Sequence, residues 1–291
     1  MLDTTRGKIL DQEAENIVRS IRIPPCPSIL TMLVREMRSD EPDFDIVGKL
    51  ITRDVGLAAI MLKTVNSPFY GLPVKAVSVK QAIILLGLRN IVHLVTGLLL
   101  RQAFPVASPG LMEQFWEASS MTADLAAFVA SHTRAVDRDH AYTYGLFRDC
   151  GIPLLLLEFP AYSETLARTH RNNGDLTALN LSVLEEEHCG IDHTEVGHYL
   201  AGSWHLPEET GLAIFWHHDY SVLDAGQPSL SKVSLNLIAA GFVADYLLGA
   251  YRGTAAAKDW GDHGAKALER LGIDVSELTS MSEEANRLYA H

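Results

Sequence analysis

The chain predicts an all-α fold. Apolar residues recur at three- and four-residue spacing along nearly its whole length, helix-start signatures punctuate those stripes, and alternating strand patterns are nearly absent. With 291 residues, 47% hydrophobic and 21% charged, the chain has material for one large or two modest domains around a substantial core.

The elements follow in order. After Pro24-Pro25-x-Pro27, whose prolines favour an extended lead-in, Ile29, Leu30, Leu33, Val34 and Met37 form a helical stripe. Ile46, Val47, Leu50 and Ile51 form a second, and Asp54 is placed to cap a third through Leu57, Met61, Leu62 and Val65, stopped by Asn66-Ser67-Pro68. Ser78-x-x-Gln81 reads as a capping box for a fourth, with a break at Gly87 and Asn90 before the apolar helix Ile91–Leu100. Pro105 to Gly110 reads as a loop and a subdomain boundary.

Further helices are expected around Glu113–Ser131, His140–Leu157, Ser163–Arg171 and Ser182–His188, the last with Ser182-x-x-Glu185 as its capping box. Asp192 then caps a helix with Glu195 at its third position and Ile191 and Val196 as a hydrophobic staple, so that His193 is the first helical residue. Pro207-Glu208-Glu209 opens another that ends near His217-His218. Leu235–Leu248 and a charged helix from about Ser276 complete the chain.

Composition narrows the function. The formal net charge is −12, and no Lys/Arg cluster offsets it, so direct nucleic-acid binding is disfavoured. Cys26, Cys150 and Cys189 are too few and too scattered for a disulfide framework or a zinc knuckle, which points to the reducing cytoplasm. No signal-peptide core opens the chain, and Gly87, Arg89, Asn90 and His93 interrupt its most membrane-like stretch, so a membrane partner is not expected.

Chemistry concentrates in the second half, where seven of the twelve histidines fall between His170 and His218. His193 is the strongest candidate ligand, because the positive end of a helix favours the neutral imidazole that a metal needs. In a helix, His217 and His218 would diverge by about 100°, so one of the two is expected to point inward. Asp149 and Asp245 sit in apolar surroundings and each needs a partner: a metal, an arginine or backbone donors. Gly145-Leu146-Phe147-Arg148-Asp149-Cys150-Gly151 looks like a metal site with a ligand missing, since Arg148 stands where a histidine would and cannot bind a cation.

The order of these motifs resembles the HDOD family, a bacterial all-helical relative of the HD-type metal phosphohydrolases. Its carriers are Asp149, Gly190-Ile191-Asp192-His193-x-x-Val196-Gly197, Trp204-x-Leu206-Pro207 and His217-His218. In the N-terminal half they are Ile23-Pro24-x-x-Pro27, Asp54-x-x-Leu57, Val65 to Tyr70 and Ala82-Ile83-x-x-Leu86-Gly87. The resemblance runs from about Ile21 to Leu248. It implies a lead-in over 1–20, an N-terminal helical subdomain over 21–110, an HD-like bundle over 111–250 and a helical extension over 251–291.

Carried over by resemblance, the HD ligand set would begin at Ala118, beside Trp116, and continue at Arg148-Asp149. It would end with His193, His217 or His218, and Asp245. Two imidazoles are therefore missing. The expectation is a degenerate site in which Arg148 replaces the metal through charge-assisted bonds to Asp149 or Asp245. No cofactor is expected; a retained one would be a divalent transition metal (iron, manganese, zinc or nickel) on Asp149, His193, His217, His218 and Asp245.

The resemblance implies a non-catalytic bacterial signal-transduction or regulatory module that acts through other signalling proteins or a small ligand. The alternatives are a metal-dependent phosphohydrolase or phosphodiesterase with a reduced site, and a sensor that binds a nucleotide without hydrolysing it. The turn Asn66, Ser67, Pro68, Phe69, Tyr70 is the candidate partner surface.

Overall fold

The computed structural model describes residues 17, 20–37, 39–66, 72–104, 109–171, 178–225, 230–254 and 258–289, and among these no strand occurs. The first half contains α1 (Ser28–Met37), α2 (Phe44–Thr52), α3 (Val55–Val65), α4 (Val79–Leu86) and α5 (Leu88–Ala103). Then come α6 (Pro109–Thr133), α7 (Arg138–Phe147), α8 (Gly151–Glu158), α9 (Tyr162–Arg171) and α10 (Ala178–Cys189). The rest are α11 (His193–Ser203), α12 (Glu208–Trp216), α13 (Val222–Ala225), α14 (Lys232–Arg252), α15 (Lys258–Leu271) and α16 (Val275–Tyr289).

Local chemistry explains most boundaries. Asp54 caps α3 by accepting from the Leu57 amide at 2.9 Å. Ser78 accepts from the Gln81 amide to open α4, but the Gln81 side chain takes the amide of Val77 instead of the cap residue, so the box is closed one residue early. Gly87, at φ 83°, turns the chain between α4 and α5, and α5 starts at once at Leu88 instead of Ile91. The helix over Lys258–Leu271 falls inside the helical extension expected over 251–291, where only a helix from about Ser276 is placed from the pattern, and it buries Ala267, Leu268 and Leu271.

Two expectations about the second half are corrected. The stretch His140–Leu157 is two helices, α7 and α8, with Arg148-Asp149-Cys150 in the turn between them. Pro153 cannot supply the amide that would bond the Asp149 carbonyl, and the Ile152 amide bonds it instead at 3.0 Å. Ser182 and Glu185 are not a helix start either. They lie inside α10, which begins at Ala178, and both are fully buried.

The core of the second half is α14, whose face from Ser234 to Ala244 is buried almost without interruption. By length and composition α14 alone among the described helices could cross a membrane, and packing from α6, α7, α12 and α15 explains its apolar sequence. Helices α6 and α7 form a tight antiparallel hairpin across residues 134–137. At Gly145 a Cβ would meet the Ala123 Cα at 2.8 Å and the Thr122 carbonyl oxygen at 3.0 Å. The lead-in is pinned to this half by Trp204, which donates its indole N–H to the Pro24 carbonyl at 2.8 Å.

Candidate metal centre

Three chain segments meet at the end of the α6–α7 hairpin. The turn after α7 brings Arg148 and Asp149, the start of α11 brings His193, and the turn after α12 brings His217 and His218. Close approach is enforced at Gly151, where a Cβ would fall 2.0 Å from the His193 carbonyl oxygen. The α11 start is as expected: Asp192 accepts from the Thr194 and Glu195 amides, and the Glu195 side chain returns to the Asp192 amide.

Both His217 and His218 point inward, which corrects the expectation that only one would. Helix α12 ends at Trp216, so the pair lies beyond the helix and the 100° divergence does not apply. One ligand atom from each of Asp149, His193, His217 and His218 lies within 4.8 Å of the others. His193 Nε2 is 3.0 Å from His218 Nε2 and 3.7 Å from Asp149 Oδ1, and His217 Nε2 is 3.1 Å from that same oxygen. Four ligands at about 2.0–2.1 Å from a tetrahedral metal stand about 3.3 Å apart, so the spacing suits a single ion.

The proton inventory points the same way. Nδ1 of His217 faces the Ile214 carbonyl at 2.7 Å, and a carbonyl only accepts, so this nitrogen carries the hydrogen. In the neutral ring Nε2 is then a bare lone pair, facing a carboxylate oxygen. Burial keeps His217 below the ordinary imidazole value, with Asp149 offsetting part of that effect. His218 is held well below it, by burial and then by the neighbouring His217 and His193. His217, His218 and the Asp149 carboxylate thus bring lone pairs to one point, which a cation would satisfy.

One residue of this site escaped the sequence reading. Glu185, fully buried, accepts from the His193 backbone amide at 3.0 Å and lies 2.6 Å from His193 Nδ1, while its other oxygen accepts from Tyr162 Oη. The carboxylate holds the hydrogen on Nδ1 and aims Nε2 at the cluster, as outer partners of metal-binding histidines do. Without a metal it also favours a second proton on His193, which a metal on Nε2 would displace. Burial lowers the imidazole's proton affinity, but Glu185 outweighs it and pushes the value up to about 9. A nearby carboxylate defeats a partial helix charge. The only sequence signal was an acid three positions after Ser182, and it pointed to a different role.

Beside the cluster, Arg148 is buried against two acids. Its Nε lies 3.1 Å from Asp149 Oδ2 and its Nη1 2.9 Å from Asp245 Oδ2. Burial would raise the Asp149 carboxyl, but Arg148 and then His217 hold it well below the usual range. Tyr144 and Gly241 pack around the guanidinium, and a Cβ at Gly241 would meet the Tyr144 ring at 2.7 Å and Arg148 Nη1 at 3.3 Å. Extending the hairpin register by one turn from Gly145 and Thr122 sets Ala118 and the buried Ser119 level with Arg148 and Asp149. At the proposed partner surface, Asn66 is committed internally: its side chain bonds the Ala76 amide and carbonyl, each at 2.8 Å. Ser67, Pro68, Phe69 and Tyr70 lie outside the described residues.

The HDOD domain model matches residues 23–220. The chain belongs to the HDOD family. Among solved HDOD-like folds, a Geobacter sulfurreducens HDOD domain protein of unknown function is 22% identical, with a TM-score of 0.69 over 95% of this chain and 98% of that one. A provisionally named phosphohydrolase from Shewanella amazonensis is 18% identical, with a TM-score of 0.69 over 96% and 94%. A provisionally named signal transduction protein from Marinobacter aquaeolei is 20% identical, with a TM-score of 0.70 over 97% and 60%. An uncharacterized Treponema pallidum protein is 26% identical over 199 residues, and the match spans 68% of this HDOD chain and 38% of that relative's length.

Proposed function

We propose that this HDOD protein is a non-catalytic regulatory module of bacterial signalling, in which half of an HD-type metal centre persists and a guanidinium fills the other half. The observation that carries it is the double ion pair of Arg148 with Asp149 and Asp245. An arginine supplies fixed positive charge and five directed donors, but no exchangeable water and no open coordination position. One oxygen of each of two acids that could otherwise hold a second metal is thereby occupied. The retained donors Asp149, His193, His217 and His218 would hold one divalent transition metal, with Glu185 orienting His193. When bound, such a metal supplies Lewis acidity and an activated water. Here its role is to tie α11, α12 and the α7–α8 turn together, so that occupancy sets the shape offered to partner proteins.

The partners on this reading are other signalling proteins in the cytoplasm, in keeping with three unpaired cysteines, two of them buried. Arg148 is already committed to two carboxylates, which argues against a nucleotide phosphate as its partner. The second reading, a one-metal phosphohydrolase, is favoured by the partial exposure of Asp149, whose side chain is 23% accessible.

The test is metal analysis of the purified chain together with hydrolysis of bis(p-nitrophenyl) phosphate and cyclic dinucleotides. About one transition metal per chain without turnover supports the regulatory reading. Metal-dependent turnover lost in Asp149→Asn would replace it with the hydrolase.

A further inference from the structure

A second cavity, separate from the metal centre, lies where the N-terminal helices meet the second half. It encloses about 690 Å³, within the range of small-molecule sites. Its floor is apolar and well buried, built from Leu30, Val92, Phe147 and Trp204. The rings are fixed in place. Phe147 and Trp204 meet edge to face at 5.6 Å, and Trp204 is anchored by its bond to Pro24. Along one wall His93 stacks on Tyr142 at 4.0 Å with 5° between the planes, and Tyr142 Oη donates to the His93 carbonyl at 3.1 Å. Flat, rigid walls of this kind select flat, rigid ligands.

The rim sets the charge of the occupant, because its two acids already face amides or cations while two of its basic side chains face none. Asp137 accepts from the amides of Asp139 and His140 as the cap of α7. Asp139 is flanked by His93 at 2.9 Å and Arg89 at 3.3 Å. Arg35 and His205 line the same cavity, and neither side chain has a hydrogen bond or ion pair among the described residues. His205 is moreover held at φ 56°, a conformation that non-glycine residues rarely adopt. An occupant that complements this rim brings acceptor oxygens and negative charge to the Arg35 side.

We propose that this cavity binds a small molecule consisting of one flat aromatic ring system with a single anionic group, the ring between the aromatic walls and the anion on Arg35. The inference does not depend on the role assigned to the metal centre. An aromatic carboxylate and a purine monophosphate share this chemistry.

The probe is 1-anilinonaphthalene-8-sulfonate, titrated into the full chain and followed by its fluorescence, with uncharged N-phenyl-1-naphthylamine alongside. Saturable binding of one sulfonate dye per chain is expected, with unchanged circular dichroism to exclude binding to loosened protein. Arg35→Gln should weaken the sulfonate dye about tenfold, the worth of one charge-assisted hydrogen bond, and leave the uncharged dye alone. Thr31→Trp, a substitution at an exposed lining position, should block both dyes. Displacement by indole-3-acetate identifies a carboxylate as the natural anion, and displacement by adenosine monophosphate a phosphate. The proposal is overturned by non-saturable binding, by equal loss of both dyes in Arg35→Gln, by dye binding that survives Thr31→Trp, or by displacement with neither anion.

Discussion

The guanidinium of Arg148 reaches Asp245 at 2.9 Å across 97 positions of chain, joining the turn after α7 to the buried helix α14. The side chain of Arg148 is only 8% accessible, whereas those of Asp149 and Asp245 are 23% and 32% accessible. The cation is therefore the deeply committed partner. Arg148→Ala leaves two carboxylates facing each other and should cost about 3 kcal/mol, the low end for breaking a buried pair because both acids keep some water. Urea denaturation measures it. In Arg148→Ala/Asp245→Ala the loss should be smaller than in Arg148→Ala alone; equal losses would mean the pair is not coupled.

The register of α6 against α7 makes the proposed loss of two imidazoles testable. Extended from Gly145, that register sets Ala118 level with Arg148, whose guanidinium bonds Asp149 and Asp245. Ala118→His/Arg148→His should raise bound metal from about one toward two per chain, measured by elemental analysis after loading and desalting. A ratio that stays at one would show that position 118 does not face the site.

Glu185 is expected to act on the metal only through His193. Glu185→Gln keeps the size of the side chain but weakens its hold on the Nδ1 hydrogen, and metal affinity should fall by roughly 10–100-fold. Nitrogen NMR of the imidazole would show the hydrogen no longer confined to Nδ1. Unchanged affinity would reduce Glu185 to a packing residue.

Gly151 packs against the His193 carbonyl with no room for a methyl group. Gly151→Ala should cost roughly 3 kcal/mol or more, since the conflict is with backbone and not with a flexible side chain. A thermal midpoint within a few degrees of the parent chain would contradict the described approach of α8 to α11.

Asp139 supplies a pH signature away from the metal centre. Burial raises its carboxyl, but His93 and then Arg89 outweigh burial and lower it below the ordinary value. Its contribution to stability is therefore present above the unfolded value near 3.9 and lost as pH falls through the lower folded value. The gap in thermal midpoint between the parent chain and Asp139→Asn should be open at pH 5 and close below about pH 4. A gap that widens on acidification would reverse the sign.

Much of this protein is legible because its signals are local. Asp54 before an apolar stripe and Asp192-x-x-Glu195 before another state where helices begin, and both do so by bonds within four residues. Missed boundaries have equally specific causes. Pro153 divides a stripe whose apolar period runs on through Arg148 and Asp149, and periodicity alone does not register the lost amide. The inward aim of both His217 and His218 depended on α12 stopping one residue earlier than the pattern suggested.

From its residues alone the chain determined an all-helical fold, membership of the HDOD pattern, and an arginine beside Asp149 that no metal can use. Those are matters of period, capping chemistry and residue type. Only the tertiary structure decided what surrounds that arginine. Asp149, His193, His217 and His218 come from three separate segments, and Glu185 reaches His193 from a fourth. Convergence at 3 to 4 Å is set by helix packing over long chain separations, where a shift of one residue at a helix end turns a side chain toward or away from its partners. The same packing leaves the aromatic cavity between the two halves, to which no single segment of sequence gives a signal.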